Sequence, residues 1–451
     1  MTDKITKWEP ITLAQTNKTF CILPWIHQYV GPPGDVKPCC MYYYTDKIGD
    51  LKENTLAEIW NNDTTRQLRL DMLNGVVRNE CRACNSRDDL NVAPKRFFNK
   101  DYFYSRPDLQ EMVGRTGEDG TVEEHKLLLM DVRFNNLCNF RCRTCSPHFS
   151  SSLITDHRKL YNKPVTEIRD NSFQFPGKTE IQAFDEMVPH FPHMEEVYFA
   201  GGEPLLQKEH YMTLEKLLEC GNTGLKVRYS TNFSKLKLQD WDAVELWKKF
   251  TNVELHASLD ANYERAEYWR KGTIWSETVA NRKRVLEECP HVRFKISGTV
   301  SWPNAINICD FHKEWVETGL TKIDGIFINF LDGPSYFSLK NIPDWKKKQL
   351  ETRFREHLVW LKEQNADYYT TLIFESAIGF MYSEDNKDEF TFPAEKFHWV
   401  VSRLDHMYQK DYFFDVFPEH ADMKKYMEDM GYQFGSDVFP THSINFDPPK
   451  K

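Results

Sequence analysis

The stretch that decides the fold is KLLLMDVRFNNLCNFRCRTC, residues 126–145. Its first nine residues form a short apolar run, which predicts a buried β-strand. The strand leads directly into a loop that holds Cys138, Cys142 and Cys145, spaced C-x3-C-x2-C. Closely spaced cysteines on one loop are typical of a metal site. The stretch therefore predicts a strand that presents three thiols at its carboxyl end.

Five more apolar runs follow this strand, and amphipathic segments of helical period lie between them. The runs are residues 195–202, 225–232, 252–260, 292–300 and 322–331. Strands that alternate with helices pair in parallel through right-handed crossovers. The pattern predicts an α/β fold, either a barrel or an open doubly wound sheet.

The two ends of the chain differ from this central region. Residues 1–110 are rich in cysteine, and their one clear amphipathic segment, 54–75, predicts a single helix. Residues 336–451 predict aromatic-rich helices that cover the central region. We therefore expect a cysteine-rich module, an α/β region over 111–335 and a helical C-terminal extension. The segment 150–194 is longer than a crossover needs and predicts an added helix and loop.

The composition argues against several classes of function. The 451 residues include 67 acidic and 58 basic side chains, for a net charge of −9. No basic stripe is present to follow a phosphate backbone, and no apolar run reaches membrane-spanning length, so we expect neither a nucleic acid nor a membrane as partner. The first residues lack the pattern of a signal peptide, which predicts a cytoplasmic protein. An odd count of eleven cysteines in a reducing compartment favours metal binding over disulfides.

Polar and glycine-containing sequences follow three further strands at the point where each strand ends. They are GGEP at 201–204, STN at 230–232 and SLD at 258–260. In an α/β barrel the carboxyl ends of the strands form one mouth, where ligands bind. We therefore expect these residues to lie close to the cysteine loop.

Three thiolates are one ligand fewer than an iron–sulfur cluster or a tetrahedral zinc site normally has. One interpretation is a [4Fe–4S] cluster whose fourth iron binds a ligand with an amine and a carboxylate. The alternative is zinc with His148 as the fourth ligand. Gly201 and Gly202 would let a ligand approach the backbone, Glu203 offers an acceptor for an ammonium group, and Pro204 fixes the turn.

The cysteine loop after strand one, followed by GGEP after strand two, resembles the radical S-adenosylmethionine (radical SAM) superfamily. The resemblance implies a partial (β/α)6 barrel and a [4Fe–4S] cluster held by three cysteines, with S-adenosyl-L-methionine on the fourth iron. It implies an oxidoreductase-like enzyme that cleaves this cofactor reductively to a 5′-deoxyadenosyl radical, which abstracts hydrogen from a substrate. The implied cluster ligands are Cys138, Cys142 and Cys145, and the implied cofactor-binding residues are Gly201, Gly202, Glu203, Pro204, Ser230, Asn232, Ser258, Asp260 and Arg270. The family usually has an aromatic residue just before the third cysteine, where this chain has Thr144.

The N-terminal cysteines form a second set. Cys21, Cys39, Cys81 and Cys84 are a complete ligand set for either a closed [4Fe–4S] cluster or structural zinc, and Cys40 is an alternative to its neighbour. Their spacing around the 54–75 helix resembles the twitch module, a shorter relative of the SPASM domain. The resemblance implies one auxiliary [4Fe–4S] cluster. Twitch modules usually follow the barrel, whereas this one precedes it.

The sequence thus predicts a radical SAM enzyme whose substrate these residues do not identify. A peptide or protein is one candidate substrate, because twitch and SPASM relatives often modify peptides. The resemblance also implies a flavodoxin or ferredoxin-like electron donor as partner. The alternative is a zinc-binding structural or regulatory protein that uses the barrel as a scaffold.

Overall fold

The computed structural model describes residues 17–43, 45–89, 102–161, 173–383, 392–409, 412–436 and 438–441. Part of the added loop expected within 150–194 lies outside these residues. Among the helices that are described, none combines the length and apolar character that a bilayer crossing requires.

A nine-stranded, mostly parallel sheet organises the molecule. Its strands are β1 (His27–Val30), β2 (Asp35–Lys37), β3 (Gly49–Asp50), β4 (Leu129–Val132), β5 (Glu196–Phe199), β6 (Lys226–Thr231), β7 (Val253–Ala257), β8 (Arg293–Val300) and β9 (Ile326–Phe330). Their spatial order is β9-β8-β7-β6-β5-β4-β1-β2-β3. Strands β4 to β9 are all parallel and form the partial barrel, which confirms the predicted fold class. Each of these six strands lies within its predicted run and is shorter than it, whereas β1, β2 and β3 were not predicted.

The alternation of side chains along β6 explains how the sheet separates its two faces. Val227, Tyr229 and Thr231 are buried against the helices, whereas the intervening Arg228 and Ser230 are only partly buried. Successive side chains on a strand point to opposite faces, so the second set faces the barrel interior. The interior is therefore polar, and its open end lies at the carboxyl termini of the strands.

The N-terminal region joins the barrel sheet directly. β1 pairs in parallel with β4, with His27 opposite Leu129 and Val30 opposite Val132. β2 and β3 continue the sheet in antiparallel order beyond β1. The cysteine-rich segment is thus held against the first barrel strand by backbone hydrogen bonds.

Short helices make up much of the rest of the N-terminal region. They are α1 (Leu56–Trp60), α2 (Asp63–Leu73), α3 (Arg82–Asp89) and α4 (Pro107–Gly114). The prediction of one helix over 54–75 is wrong, because the helix is interrupted at Asn62. The Asn62 side chain accepts a hydrogen bond from Thr65 N at 2.9 Å and so caps a new helix.

Helices also cover the barrel and form the C-terminal region. Around the barrel lie α5 (Leu153–Tyr161), α6 (Gln182–Met187), α7 (Lys208–Glu219), α8 (Ala243–Trp247), α9 (Tyr263–Trp269), α10 (Trp275–Glu288) and α11 (Ala305–Glu317). The C-terminal region contains α12 (Asp344–Glu363), α13 (Tyr368–Tyr382), α14 (Ala394–Tyr408), α15 (Phe413–Val416) and α16 (Ala421–Asp429), which confirms the predicted helical extension.

Candidate functional site

A cavity of about 740 Å³ opens at the carboxyl ends of the barrel strands. Nine of the twelve residues predicted for this site line it: Cys138, Cys142, Cys145, Gly201, Gly202, Ser230, Asn232, Ser258 and Arg270. The other three, Glu203, Pro204 and Asp260, lie behind its wall and are buried. The structure therefore brings together side chains from four separate strand ends, as the barrel pattern requires.

The loop that carries the three cysteines is held by its own backbone and by a neighbouring strand. Residues Arg141–Cys142 pair in an antiparallel ribbon with Arg270–Lys271. Phe140 N donates to Cys138 Sγ at 3.4 Å, and Arg270 Nη1 donates to Cys142 Sγ at 3.8 Å. Donors aimed at sulfur stabilise the thiolate form that a metal needs.

Burial opposes ionisation of these thiols when no metal is bound. It raises the pKa of Cys138 and Cys142 to about 12 and the pKa of Cys145 to about 11. A metal ligand must be deprotonated, so iron has to displace three protons here. Two buried thiols and the partly buried Cys145 thiol on one short loop, open on the cavity side, fit three irons of a [4Fe–4S] cluster.

The two glycines after β5 let the turn approach the cysteine loop. A Cβ on Gly202 would lie 2.1 Å from the Leu137 carbonyl oxygen. Gly201 has φ of +110°, and a Cβ there would lie 2.8 Å from Arg133 Cβ. Only glycine fits both conditions, so the pair fixes the distance between the turn and the cysteine loop.

Glu203 faces the protein and not the cavity. Its carboxylate accepts hydrogen bonds from Thr231 Oγ1 and Asn232 N, both at 2.6 Å, and from Leu205 N at 3.1 Å. Burial nevertheless raises its pKa to about 7. This geometry differs from the expected contact with an ammonium group and makes Glu203 a residue that fastens the β5 turn to the end of β6.

Asp260 also lies behind the cavity wall, where its carboxylate orients Arg270. Arg270 donates from Nε and Nη2 to the Asp260 carboxylate at 2.7 and 2.9 Å, and Thr299 N donates to the same carboxylate at 2.7 Å. A bidentate pair of this kind fixes the plane of the guanidinium. Asp260, which the resemblance implies to be a cofactor-binding residue, does not face the cavity, because its side chain is fully buried. Arg270, in contrast, reaches the cavity as predicted.

Two arginines in the cavity wall were not predicted from the sequence. Arg133 follows β4 and pairs with Asp131, two residues earlier, while its guanidinium lies 4.3 Å above the Tyr29 ring. The period-two spacing of these charges within the first strand was a usable signal. Arg143 lies between two cluster cysteines, but its partner, Asp405, is too distant in sequence for any local pattern to indicate it.

The four predicted N-terminal ligands also share one small cavity. Cys21, Cys39, Cys81 and Cys84 line it, together with Met72 and Tyr42 among others. Burial raises the pKa of Cys81 to about 12, and the neighbouring Cys39 and Cys84 add to the effect. Cys40 is not part of this wall and lies within electrostatic range of Arg133. Four thiols around one cavity fit a closed iron–sulfur cluster.

Within the described residues, no three or more His, Cys, Asp or Glu side chains are grouped closely enough to hold a single metal ion. The ligands of an iron–sulfur cluster need not converge on one ion, because each thiolate binds a different iron.

Comparison with known protein families finds two matches. Residues 132–305 match the radical SAM superfamily, and residues 21–85 match the SPASM family, described as an iron–sulfur cluster-binding domain. The first match spans the cysteine loop and most of the barrel, and the second begins at Cys21 and ends one residue beyond Cys84. No curated protein sequence matches the chain.

Several solved structures resemble parts of the chain. They include hexahistidine-tagged anSMEcpe with bound AdoMet, at 16% identity and TM-score 0.37, over 51% of this chain and 59% of that one. Streptococcus suis SuiB bound to S-adenosylmethionine matches at 16% identity and TM-score 0.35, over 69% and 61% of the two chains. TYW1 with a lysine-pyruvate adduct matches at 12% identity and TM-score 0.28, over 52% and 71%. The chain thus spans about three fifths of the first of these structures.

Proposed function

Since this chain belongs to the radical SAM superfamily and carries an iron–sulfur cluster-binding domain, we propose that it is an enzyme that cleaves S-adenosylmethionine reductively at a [4Fe–4S] cluster. One electron and the cofactor would give methionine and a 5′-deoxyadenosyl radical, which takes a hydrogen atom from the substrate to become 5′-deoxyadenosine. The observation that carries this proposal is the single cavity shared by the three loop cysteines and the ends of β5, β6 and β7.

The residues of the chain have distinct tasks in this proposal. Cys138, Cys142 and Cys145 hold the cluster and leave one iron position open toward the cavity. The Arg270 guanidinium, oriented by Asp260, is placed to bind a carboxylate. The hydroxyl groups of Ser230 and Ser258 and the Asn232 amide supply neutral hydrogen-bonding groups on the same wall.

The N-terminal cysteines hold a second, auxiliary [4Fe–4S] cluster in this proposal. Their cavity lies within the region that matches an iron–sulfur domain, which favours a cluster over the zinc alternative. A flavodoxin or ferredoxin-like protein is the proposed one-electron donor, and a peptide or protein remains a candidate substrate.

The experiment is anaerobic purification followed by iron, sulfide and product analysis. We expect brown protein with about eight irons and eight sulfides for each chain, four for each cluster. Dithionite and S-adenosylmethionine should then yield 5′-deoxyadenosine and methionine in equal amounts. Colourless protein with bound zinc and no nucleoside product would overturn the proposal.

A further inference from the structure

We propose that the wall of the main cavity formed by α5, α14 and the loop after β9 is the substrate subsite, and that it takes an uncharged apolar or aromatic group. Its role as a substrate subsite rests on the proposed function, whereas its binding preference does not. The inference is based on two helix faces, the loop after β9 and the charge balance of the wall.

The first face belongs to α5, which follows the cysteine loop. Leu153, Asp156, His157, Leu160 and Tyr161 all line the cavity. Their spacing of three, one, three and one residues places them on one stripe of the helix. The stripe therefore extends the cavity wall outward from the cluster loop.

The second face belongs to α14 of the C-terminal region. Val400, Leu404 and Tyr408 line the same cavity at intervals of four residues. The loop after β9 adds Leu331 and Tyr336 to this wall. Aliphatic and aromatic carbon thus covers this side of the cavity, and such walls bind apolar groups.

The charges in the cavity wall are already balanced. Among the described lining residues the arginines are Arg133, Arg143 and Arg270, and each one pairs with a carboxylate behind the wall. The partner aspartates are at most 3% exposed. In the proposed function Arg270 takes the cofactor carboxylate, so a further phosphate or carboxylate on a substrate would lose its hydration without meeting an uncompensated cation, which is unfavourable.

The polar groups of this wall are also engaged or uncharged. The Asp156 carboxylate accepts a hydrogen bond from Tyr408 Oη at 2.9 Å and lies 3.8 Å from Arg141 Nη1. Burial lowers the pKa of His157 to about 4, so its imidazole is neutral near pH 7. The Tyr161 and Tyr336 hydroxyls bond to each other. A cationic substrate group would therefore find only a carboxylate that other groups already share.

The experiment uses saturation-transfer difference NMR on the anaerobic holoenzyme with S-adenosylmethionine bound. The probes are N-acetyl-L-leucinamide and N-acetyl-L-phenylalaninamide, compared with N-acetyl-L-lysinamide and N-acetyl-L-glutamic acid amide. We expect the uncharged probes to bind at least tenfold more tightly than the charged probes. Equal or tighter binding of a charged probe would overturn the proposal.

Two variants test whether the uncharged probes bind in this subsite. Leu404→Trp should fill the space and reduce binding of the uncharged probes at least tenfold, whereas Leu404→Ala should enlarge it and improve binding of the phenylalanine probe relative to the leucine probe. The matched control is Leu286→Trp, at a position on α10 that is 37% exposed and outside the cavity. Unchanged binding in both Leu404 variants would contradict the subsite.

The proposed function and the subsite can fail separately. If wild-type protein binds the uncharged probes but forms no 5′-deoxyadenosine with dithionite, the subsite stands and the proposed function does not. If it forms 5′-deoxyadenosine but shows no preference among the probes, the function stands and the subsite does not.

Discussion

Arg143 and Asp405 join the cysteine loop to the C-terminal region. Arg143 Nη2 donates to Asp405 Oδ1 at 2.7 Å, and the two side chains are 2% and 3% exposed. The Arg143 guanidinium also lies 3.7 Å above the Tyr268 ring, and Tyr268 Oη donates to the same Asp405 oxygen at 2.6 Å. The helix that covers the cavity is therefore bonded to the loop that carries the cluster.

Asp405→Asn should weaken the site without changing its shape. Removing one charge from a buried ion pair leaves the Arg143 cation uncompensated, which typically costs about 3–5 kcal/mol. We expect a lower free energy of unfolding in urea, a slower rate of 5′-deoxyadenosine formation and a changed electron paramagnetic resonance spectrum of the reduced cluster.

A matched control exists in the same C-terminal region. Lys346 is fully buried and pairs at 2.8 Å with Asp422, which is 34% exposed, and neither residue lines the main cavity. Asp422→Asn should lower stability and leave the cluster spectrum unchanged. If both variants alter the spectrum equally, the Arg143–Asp405 pair has no specific link to the cluster.

The sequence could not indicate this pair, although it predicted the loop that contains Arg143. C-x3-C-x2-C is a local pattern, so Cys138, Cys142 and Cys145 could be assigned from spacing. Arg143 meets a residue 262 positions away. Such a contact depends on how α14 packs, and the stripe of Val400, Leu404 and Tyr408 reads in sequence like any other buried helix face.

Gly202→Ala should disturb the cluster loop through steric overlap alone. Its Cβ would lie 2.1 Å from the Leu137 carbonyl oxygen, and backbone cannot move aside cheaply. We expect a loss of about 1–3 kcal/mol in the free energy of unfolding and at least a tenfold slower 5′-deoxyadenosine formation. Gly224→Ala is the control, because nothing lies within 4 Å of its Cβ position. Equal effects at both glycines would show that the close approach does not matter.

The two cysteine sets should lose function independently. Cys142→Ala should abolish 5′-deoxyadenosine formation and remove about four irons, while the N-terminal cluster remains. Cys84→Ala should remove a similar amount of iron but retain cofactor cleavage, because the two sets line different cavities. Cys309→Ala, at a buried position on α11, should change neither iron content nor product. Loss of all iron in either cluster variant would contradict this independence.

A buried histidine pair should make stability depend on pH. His312 Nδ1 lies 3.1 Å from His357 Nε2, at the contact between α11 and α12, and His312 Nε2 bonds to the Ile323 carbonyl. Burial lowers the pKa of His312 to about 4. A depressed histidine pKa gives stability that is present above the ordinary value of 6.5 and is lost as the pH falls toward 4.

At pH 5 this effect amounts to about 2 kcal/mol for one histidine. Urea unfolding at pH 7 and pH 5 measures it. His357→Gln keeps a side-chain donor for His312 but cannot titrate, so its loss of stability on acidification should be smaller than that of the wild type. An identical loss in both proteins would exclude the pair as the cause.

The strand ends show what sequence reasoning captures and what it misses at the site itself. Their order and polar character predicted that Gly201, Ser230 and Ser258 meet in one cavity, because parallel strands share a carboxyl edge. The roles of Glu203 and Asp260 were harder to predict from the sequence. Both are carboxylates beside a predicted ligand site, and only the three-dimensional structure shows that their hydrogen bonds are made to Thr231, Asn232, Thr299 and Arg270.

The pairing of β1 with β4 bears on how the chain folds. β1 can pair with the nearby β2, and β4 with β5, but residues about a hundred positions apart, such as His27 and Leu129, must meet before the N-terminal strands join the barrel sheet. Closing so long a loop carries a large entropic cost before any contact rewards it, and contacts of this range slow folding. During synthesis the N-terminal strand must therefore wait for the first barrel strand to leave the ribosome. The N-terminal cysteines consequently belong to the same cooperative folding step as the barrel, and a chain cut between them should yield two unstable fragments.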